Sequence, residues 1–431
     1  MRTTHTFSVS NSKRFKEHLL LWSKQYKEAI FLDSNAHKDR YGSFDALLAV
    51  DSNFRLSSNT DYFKKLKQFQ KKKKDWLFGY LSYDLKNELE DLKSNNYDGL
   101  SFAKLCFFQS KKIIILKGDK AQFLYLETVF NEAKLDFKTI LDLPIKKKPK
   151  PIKRAIKIKM RIHKDAYYKK AHVFLKHIHR GDIYEANFCQ EFYAEDTEID
   201  PISTFLNLNK ISAAPFATFL RFDNNFLISS TPERYLKKIG KRVISQPIKG
   251  TAARSASKKQ DNTLKKNLAL DVKERAENIM ITDLVRNDLS KIANKGTVKV
   301  KELCKVYSFK QVHQMISTIT AEVDEDLNPI EIIKATFPMG SMTGAPKIAA
   351  MQLIEDLEET KRGLYSGAVG YFAPSGDFDF NVVIRSILYN AAKKYVSYTV
   401  GSAITANSDP ESEYQECLLK AKAMREVLER N

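Results

Sequence analysis

Apolar and polar positions repeat along this chain with two periods, and the switches between them lay out its elements. Short apolar runs, WLFGYLSY (Trp76 to Tyr83) and KIIIL (Lys112 to Leu116), predict strands in the first third. KDAYYKKAHVFLKHIHRG then changes to three-four spacing: Tyr168, Ala171, Phe174 or Leu175, and Ile178 form one stripe, and Gly181 supplies the stop. FATFLRF and NNFLISSTPE read as strands, and from Asn262 to Ala293 one long helical pattern runs through LALDVKERAENIMITDLVRNDLSKIA. Further strands are predicted at KVYSF, SGAVGYFA, FNVVIRSILYN and YVSYTVG, and a helix closes the chain. At its start Ser408 and Glu411 have capping-box spacing, with Pro410 in the first turn. Strand runs mixed with long helices, without strict β-α alternation, predict an α+β or mixed α/β fold.

The one break in composition is LDLPIKKKPKPIKRA, where three prolines and a dense basic run deny both helix continuation and central-strand pairing. It divides the chain into an N-terminal region, 1–145, a basic proline-containing linker, 146–160, and a motif-dense region, 161–431. The formal charge of +20 is concentrated early: residues 1–160 hold 33 Lys+Arg against 18 Asp+Glu, leaving +5 for the remainder. The basic runs Lys71–Lys74 and Ile145–Arg154 lack the interleaved aromatics of a single-strand groove, so they read as solvated faces and no nucleic-acid partner is expected. A basic nucleic-acid-binding protein using residues 60–75 and 145–160 is the reading from a different class. The four cysteines form no C-x-x-C, which fits reduced thiols, and neither a leader's apolar region nor a membrane-length apolar stretch is evident. A soluble, cytoplasmic protein with no membrane partner is expected.

Candidate chemistry begins with PIKGTAAR. Taken alone, Lys249 is a strand-end residue whose stem lies on apolar surface while its ammonium reaches water. In the last helix Glu413, Glu416 and Lys420 share one face, either as a salt-bridged solvent face or as a site. Glu274 and Glu277 are followed by apolar Ile281 and Leu284 on the same side of the long central helix, so a carboxylate projects from an otherwise buried stripe. Unpaired burial is costly, and a hard cation held between two such helices would remove that cost; magnesium suits carboxylates shared with water and an anionic substrate. FPMGSMTGAPK places Gly340, Gly344 and Pro346 before an amphipathic helix, a junction that can bind an anion but lacks the P-loop pattern. Arg385 ends a strand-like run and could clamp a carboxylate, Tyr371 could donate a hydrogen bond, and Glu233 is a candidate acid or base. His313 alone reads as a structural histidine.

In order, GDIYEANFCQ, STPE, PIKGTAAR, ERAENIMITDLVRNDL, FPMGSMTGAPK, GYFAPSGDFDFNVVIRS and GSAITANSDPESEYQECLLKA resemble the chorismate-utilising family, which includes anthranilate synthase component I and the isochorismate and salicylate synthases. The resemblance covers about residues 160–425 and implies an α+β fold of α/β/β/α layers, two packed sheets with outer helices, built from both parts of the chain. PIKGT, where anthranilate synthases usually carry PIAGT, is similar to the branch that aminates chorismate at C4. That implies Lys249 as a nucleophile adding at C2 while the C4 hydroxyl leaves, before ammonia enters at C4 and expels it. It also implies Glu233 as general acid, a site-lining His313, and Glu277, Glu413 and Glu416 as Mg2+ ligands. Thr251, Gly344, Ala345, Tyr371, Arg385 and Lys420 are the implied substrate-binding positions. A free lysine titrates near about 10.4, so this chemistry leads one to expect that desolvation and magnesium leave the amine uncharged. No G-x-C-x-G nucleophile elbow is present, so ammonia is expected from a glutamine amidotransferase partner or from solution.

Three departures from the family pattern stand out. Ala403 replaces a glycine in GSAI, Asn278 replaces the usual histidine, and only FLDSN resembles the motifs of a tryptophan pocket, so tryptophan inhibition is not expected. The same-family alternative is formation of anthranilate and pyruvate.

Overall fold

The computed structural model describes residues 1–37, 39–58, 60–144, 156–310 and 312–430. Most of the 146–160 linker expectation falls outside the described residues; its end, Lys159–Met160, pairs with Tyr193 and Phe192.

Side-chain alternation builds two cores. In the strand Glu28–Asp33, Ala29 and Phe31 enter one core while Ile30 and Leu32 enter the other, and Leu48 and Val50 part from Leu47 and Ala49 in the same way. Both faces are buried, which is why these strands read as continuous apolar runs. One core lies under the helices Ser12–Trp22, Lys164–Arg180, Pro201–Ser212 and Pro410–Glu429, which cover it through residues such as Phe15, Phe174, Phe205 and Met424. The other gathers Leu47, Phe78, Phe107, Leu236, Val369 and Phe380 with Ile281, Val285 and Leu289 of the helix Val272–Ser290. The fold is α+β, and the two expected sheets are regions of one ladder of 20 strands among the described residues. The long strands Ala46–Ser57 and Leu105–Lys117 run through both regions, with a register shift between Ser52 and Phe54 beside Asp51 at φ 62°.

Residues from before and after the linker pair directly. Glu28–Asp33 is antiparallel to Phe216–Phe222, with Phe31 opposite Phe219, and Leu77–Leu81 is antiparallel to Ala368–Phe372, with Gly79 opposite Gly370. The basic run ends the helix Tyr62–Lys73, which buries Tyr62, Phe63 and Leu66 and leaves Lys71, Lys72 and Lys74 exposed. No described helix is long and apolar enough to cross a membrane. All four cysteines are buried free thiols.

Three local expectations are corrected. The Asn262–Ala293 pattern is two helices, Lys258–Leu270 and Val272–Ser290, because Asp271 adopts an extended conformation and its carboxylate accepts from Glu274 N. Asp409, rather than Ser408, caps the last helix by accepting from Ser412 N, while Ser408 Oγ donates to Glu413. FNVVIRSILYN is divided into Phe378–Val382 and Ser386–Asn390, with Arg385 at φ 51° at the break.

Candidate active site

The lysine of PIKGT owes its direction to a bulge. Ile248 stands opposite Ile316 and Thr251 opposite Gln314, so the strand Ile248–Ala253 carries one residue more than its partner between those pairs. Gly250 takes φ +94°, and a Cβ there would lie 3.2 Å from Glu274 Oε2 and from Met315 Cβ; glycine lets the helix Val272–Ser290 approach. Lys249 turns inward with 10% of its side chain exposed, and its Nζ lies 2.5 Å from Glu185 Oε1, on a carboxylate 1% exposed. Burial lowers the lysine's proton affinity, but Glu185, Glu277 and Glu416 outweigh it and hold the group well above the ordinary lysine range. Burial alone therefore does not leave the amine uncharged: carboxylates surround it and favour the ammonium form.

Asn278 explains its own departure. Its Nδ2 donates to the carbonyls of Lys249 and Met315, both at 3.2 Å, and its Oδ1 accepts from Ser317 Oγ, tying the helix to the bulge. Asn278→Ala would strand these buried groups, and a loss of about 1–3 kcal/mol is expected in urea unfolding. An unchanged midpoint would show that the bulge stands without this tie.

Glu233 sits at the corner between the strands Asn225–Thr231 and Arg234–Ile239, its carbonyl accepting from Val382 N at 3.0 Å. Its Oε1 accepts from Ser341 Oγ at 2.6 Å. Burial pushes this carboxyl up to about 7, against the opposing pull of Ser341, Lys249 and the Ile248 backbone. Ser341 belongs to the turn Gly340–Met342, where a Cβ on Gly340 would lie 2.7 Å from Leu284 Cδ2. Gly344 and Ala345 bridge antiparallel to Ala186 and Glu185, and a Cβ on Gly344 would lie 2.1 Å from Glu185 O. These two residues thus clamp the strand that carries the partner of Lys249.

The expected metal ligands come from two facing helices, Val272–Ser290 and Pro410–Glu429. Lys273 Nζ lies 2.9 Å from Glu413 Oε1 and 4.0 Å from Glu277 Oε1, so an ammonium bridges the gap. Glu413 also accepts from Ser408 Oγ at 2.8 Å and from Ser402 Oγ. Burial pushes Glu277 up to about 7, helped by Glu185 and Glu274. Burial acts likewise on Glu416, but Lys420 at 2.6 Å, Lys249 and Ser402 hold it down at about 2. Among the described residues no three His, Cys, Asp or Glu side chains are gathered into a cation site as they stand. The donor set nonetheless suits a hard cation: all oxygen, partly buried, and already bridged by a positive charge on a side chain that is 44% exposed.

Lys420 Nζ also donates to Gly401 O at 2.9 Å, and Arg385 Nη1 donates to Lys420 O at 3.2 Å. Burial lowers the Arg385 guanidinium's proton affinity, opposed by Tyr365 and Glu416, and among the described residues no carboxylate lies within ion-pair distance of it. Ala403, at the departure from glycine, is buried opposite Asn187.

Three expected residues are placed differently. Thr251 is exposed beyond the bulge. His313 is buried, but its Nδ1 meets Ser308 Oγ at 2.9 Å and its Nε2 meets Asp261 Oδ1 at 3.1 Å, neither of them an expected site residue. Strand alternation turns Tyr371 toward Phe44, Trp76 and Phe78, beside Asp379 and Ser43, away from the lysine cluster. Tyr365, six residues earlier, lies in the turn before that strand and meets Cys189 Sγ at 3.9 Å. Tyr365, Glu185, Ser341 and Lys273 escaped sequence reasoning. Glu185 opens a strand that also carries Asn187, Gln190 and Glu191, so nothing in the local pattern singles it out.

The chorismate binding enzyme family matches residues 17–426. The chain is 42% identical over 275 residues to the aminodeoxychorismate synthase of Streptomyces griseus, covering 63% of this chain and 37% of that protein. It is 38% identical over 267 residues to aminodeoxychorismate synthase component 1 of Escherichia coli, covering 62% and 58%. It is also 33% identical over 355 residues to an anthranilate synthase component I-like protein of Synechocystis, covering 82% and 72%. The chain thus spans about a third of the length of the first curated relatives it matches. The crystal structure of anthranilate synthase component I from Streptococcus pneumoniae superposes with a TM-score of 0.79 at 24% identity, covering 90% of this chain and 94% of that one. The menaquinone-specific isochorismate synthase of Escherichia coli gives 0.79 at 18% identity, covering 99% and 94%. A match over nearly the whole sequence, carried by a shared fold, places this chain in the family of chorismate binding enzymes.

Proposed function

We propose that this chain converts chorismate and ammonia to 4-amino-4-deoxychorismate, the activity that the names of the Streptomyces and Escherichia coli relatives carry. One observation carries the reading: a primary amine, Lys249, is turned into the fold's interior, within the electrostatic reach of Glu233, a carboxyl that is half protonated at about pH 7. Arg385 and Lys420 would receive carboxylates of the substrate. Lys249 Nζ adds at C2, the ring double bond shifts, and the C4 hydroxyl leaves as water with the proton of Glu233. Ammonia then attacks C4, the double bond shifts back, and Lys249 is released.

Glu277, Glu413 and Glu416 would hold Mg2+, with Lys273 swung aside, and the ion when bound supplies positive charge against a substrate carboxylate. Glu277 at about 7 sets the pH dependence of that binding. Below this value the carboxyl holds a proton that the ion must displace, so affinity rises about tenfold per pH unit and levels off above it. Calorimetric Mg2+ titrations between about pH 5 and 9 test this; an affinity that does not change with pH removes Glu277 from the ligand set.

The reaction is tested by product identity. With chorismate, magnesium and ammonium, product that requires an added lyase to become para-aminobenzoate supports C4 amination, and ortho-aminobenzoate formed without lyase overturns it. The "component 1" in the Escherichia coli relative's name supports a separate glutaminase as ammonia source. Titration of a cognate glutaminase should produce glutamine-dependent turnover.

A further inference from the structure

We propose that Glu185 is the proton acceptor that turns the Lys249 ammonium into a nucleophilic amine. This inference rests on the C4-amination reading and adds a residue to it. Among the described residues Glu185 is the one ion-pair partner of Lys249, with Oε1 2.5 Å from Nζ. Its other oxygen, Oε2, is buried and among the described residues has no hydrogen-bond partner, so it is free to take up a proton.

Of the remaining charged groups around Lys249, all but Glu274 have another partner or task, and Glu274 makes no ion pair with the lysine. From the helix Val272–Ser290 come Glu274 and Glu277, and from Pro410–Glu429 come Glu416 and Lys420; Glu416 is paired with Lys420, and Glu277 faces Lys273. Glu233, from the strand corner, must hold a proton to give to the leaving hydroxyl and cannot also receive one. Glu185 has no such second task. Its backbone is fixed by the bridge to Ala345 and by Tyr184 N donating to Ala345 O at 2.7 Å, so the carboxylate is held at the amine.

Substrate filling the site would exclude water, which makes a pair of opposite charges expensive to keep; one proton moved along the existing hydrogen bond cancels both. The protons balance. Lys249 ammonium and Glu185 carboxylate become amine and acid. The amine's addition and the loss of water consume the Glu233 proton and leave a secondary ammonium on the ring. Attack of ammonia breaks the C–Nζ bond and releases neutral Lys249, the new ring ammonium returns a proton to Glu233, and Glu185 reprotonates Lys249. The sum is chorismate plus ammonia giving aminated product plus water.

The test compares wild type, Glu185→Gln and Glu185→Asp at a fixed concentration of free ammonia. Wild-type kcat should be level on the acid side of neutrality, because the proton moves inside the protein. In Glu185→Gln the amine must lose its proton to solvent, so kcat should fall about 100-fold at neutral pH and rise about tenfold per pH unit up to about 7, above which loss of the Glu233 proton offsets the gain. Glu185→Asp should recover part of the rate and the flat profile. A second readout needs no substrate: labelling of Lys249 by trinitrobenzenesulfonate, located by mass spectrometry, should shift to lower pH in Glu185→Gln. Glu185→Gln with wild-type kcat and pH profile, or with unchanged labelling, overturns the role of Glu185. Absence of C4-aminated product from wild type overturns the reaction itself.

Discussion

Lys249→Ala is expected to remove C4 amination by about 10^4-fold, the scale on which enzymes lose a covalent nucleophile. Among the described residues no other amine pairs with Glu185 at this position. The substitution also leaves Glu185 buried without its cation, which costs about 3–5 kcal/mol. Lys249→Gln supplies a donor to the same carboxylate and separates the two effects: its melting temperature should lie nearer wild type, with turnover as low as in alanine. Product analysis by chromatography decides the matter. Either variant retaining C4 amination within about tenfold of wild type would remove the lysine from the chemistry.

Glu233→Gln is expected to lower kcat by about 10^2–10^4-fold, the usual contribution of a general acid. The accompanying sign is specific. Glu233 titrates at about 7, so wild-type activity should fall as pH rises through that value and the acid loses its proton. Glutamine cannot titrate, and the alkaline limb should vanish with it. Stability follows the same direction. The folded state binds this proton more tightly than the unfolded chain, whose glutamate titrates near 4.5, so stability is full below that value and is lost as pH rises to about 7. Chemical unfolding across this window should show the slope in wild type and a flatter profile in Glu233→Gln. A variant that keeps the alkaline limb assigns it to a group other than Glu233.

Sequence reading reached the elements more readily than the directions of side chains. The helix Lys164–Arg180 and the strands Phe216–Phe222 and Asn225–Thr231 follow from apolar period alone, and Gly181 stops the helix at φ 90° as expected. Asp271 was harder, because a single capping carboxylate interrupts a helix without disturbing its apolar stripe. Tyr371 and Tyr365 show the limit of local reading. Both are buried, but Tyr371 lies in the strand Ala368–Phe372 and meets Trp76, whereas Tyr365 lies in the turn before it and meets Cys189. Glu185 and Lys249 lie 64 residues apart, and their meeting depends on a bulge on one side and the Gly344–Ala345 bridge on the other. Local pattern carries no information about such a coincidence. The resemblance of ordered motifs singled out Glu233 and Lys249, which lie within electrostatic reach of each other, but not Glu185, the carboxylate paired with the lysine.

The strand pairings across the linker bear on how this protein can be manipulated or inherited. Glu28–Asp33 lies against Phe216–Phe222, and Leu77–Leu81 lies against Ala368–Phe372, so each half of the gene encodes strands whose neighbours are encoded by the other. Cutting it into separately expressed pieces near residue 150 would leave raw apolar edges on both, prone to self-association. Shuffling between homologues is therefore compatible with this architecture only if the two portions travel together, although their sequences look as separable as beads on a string.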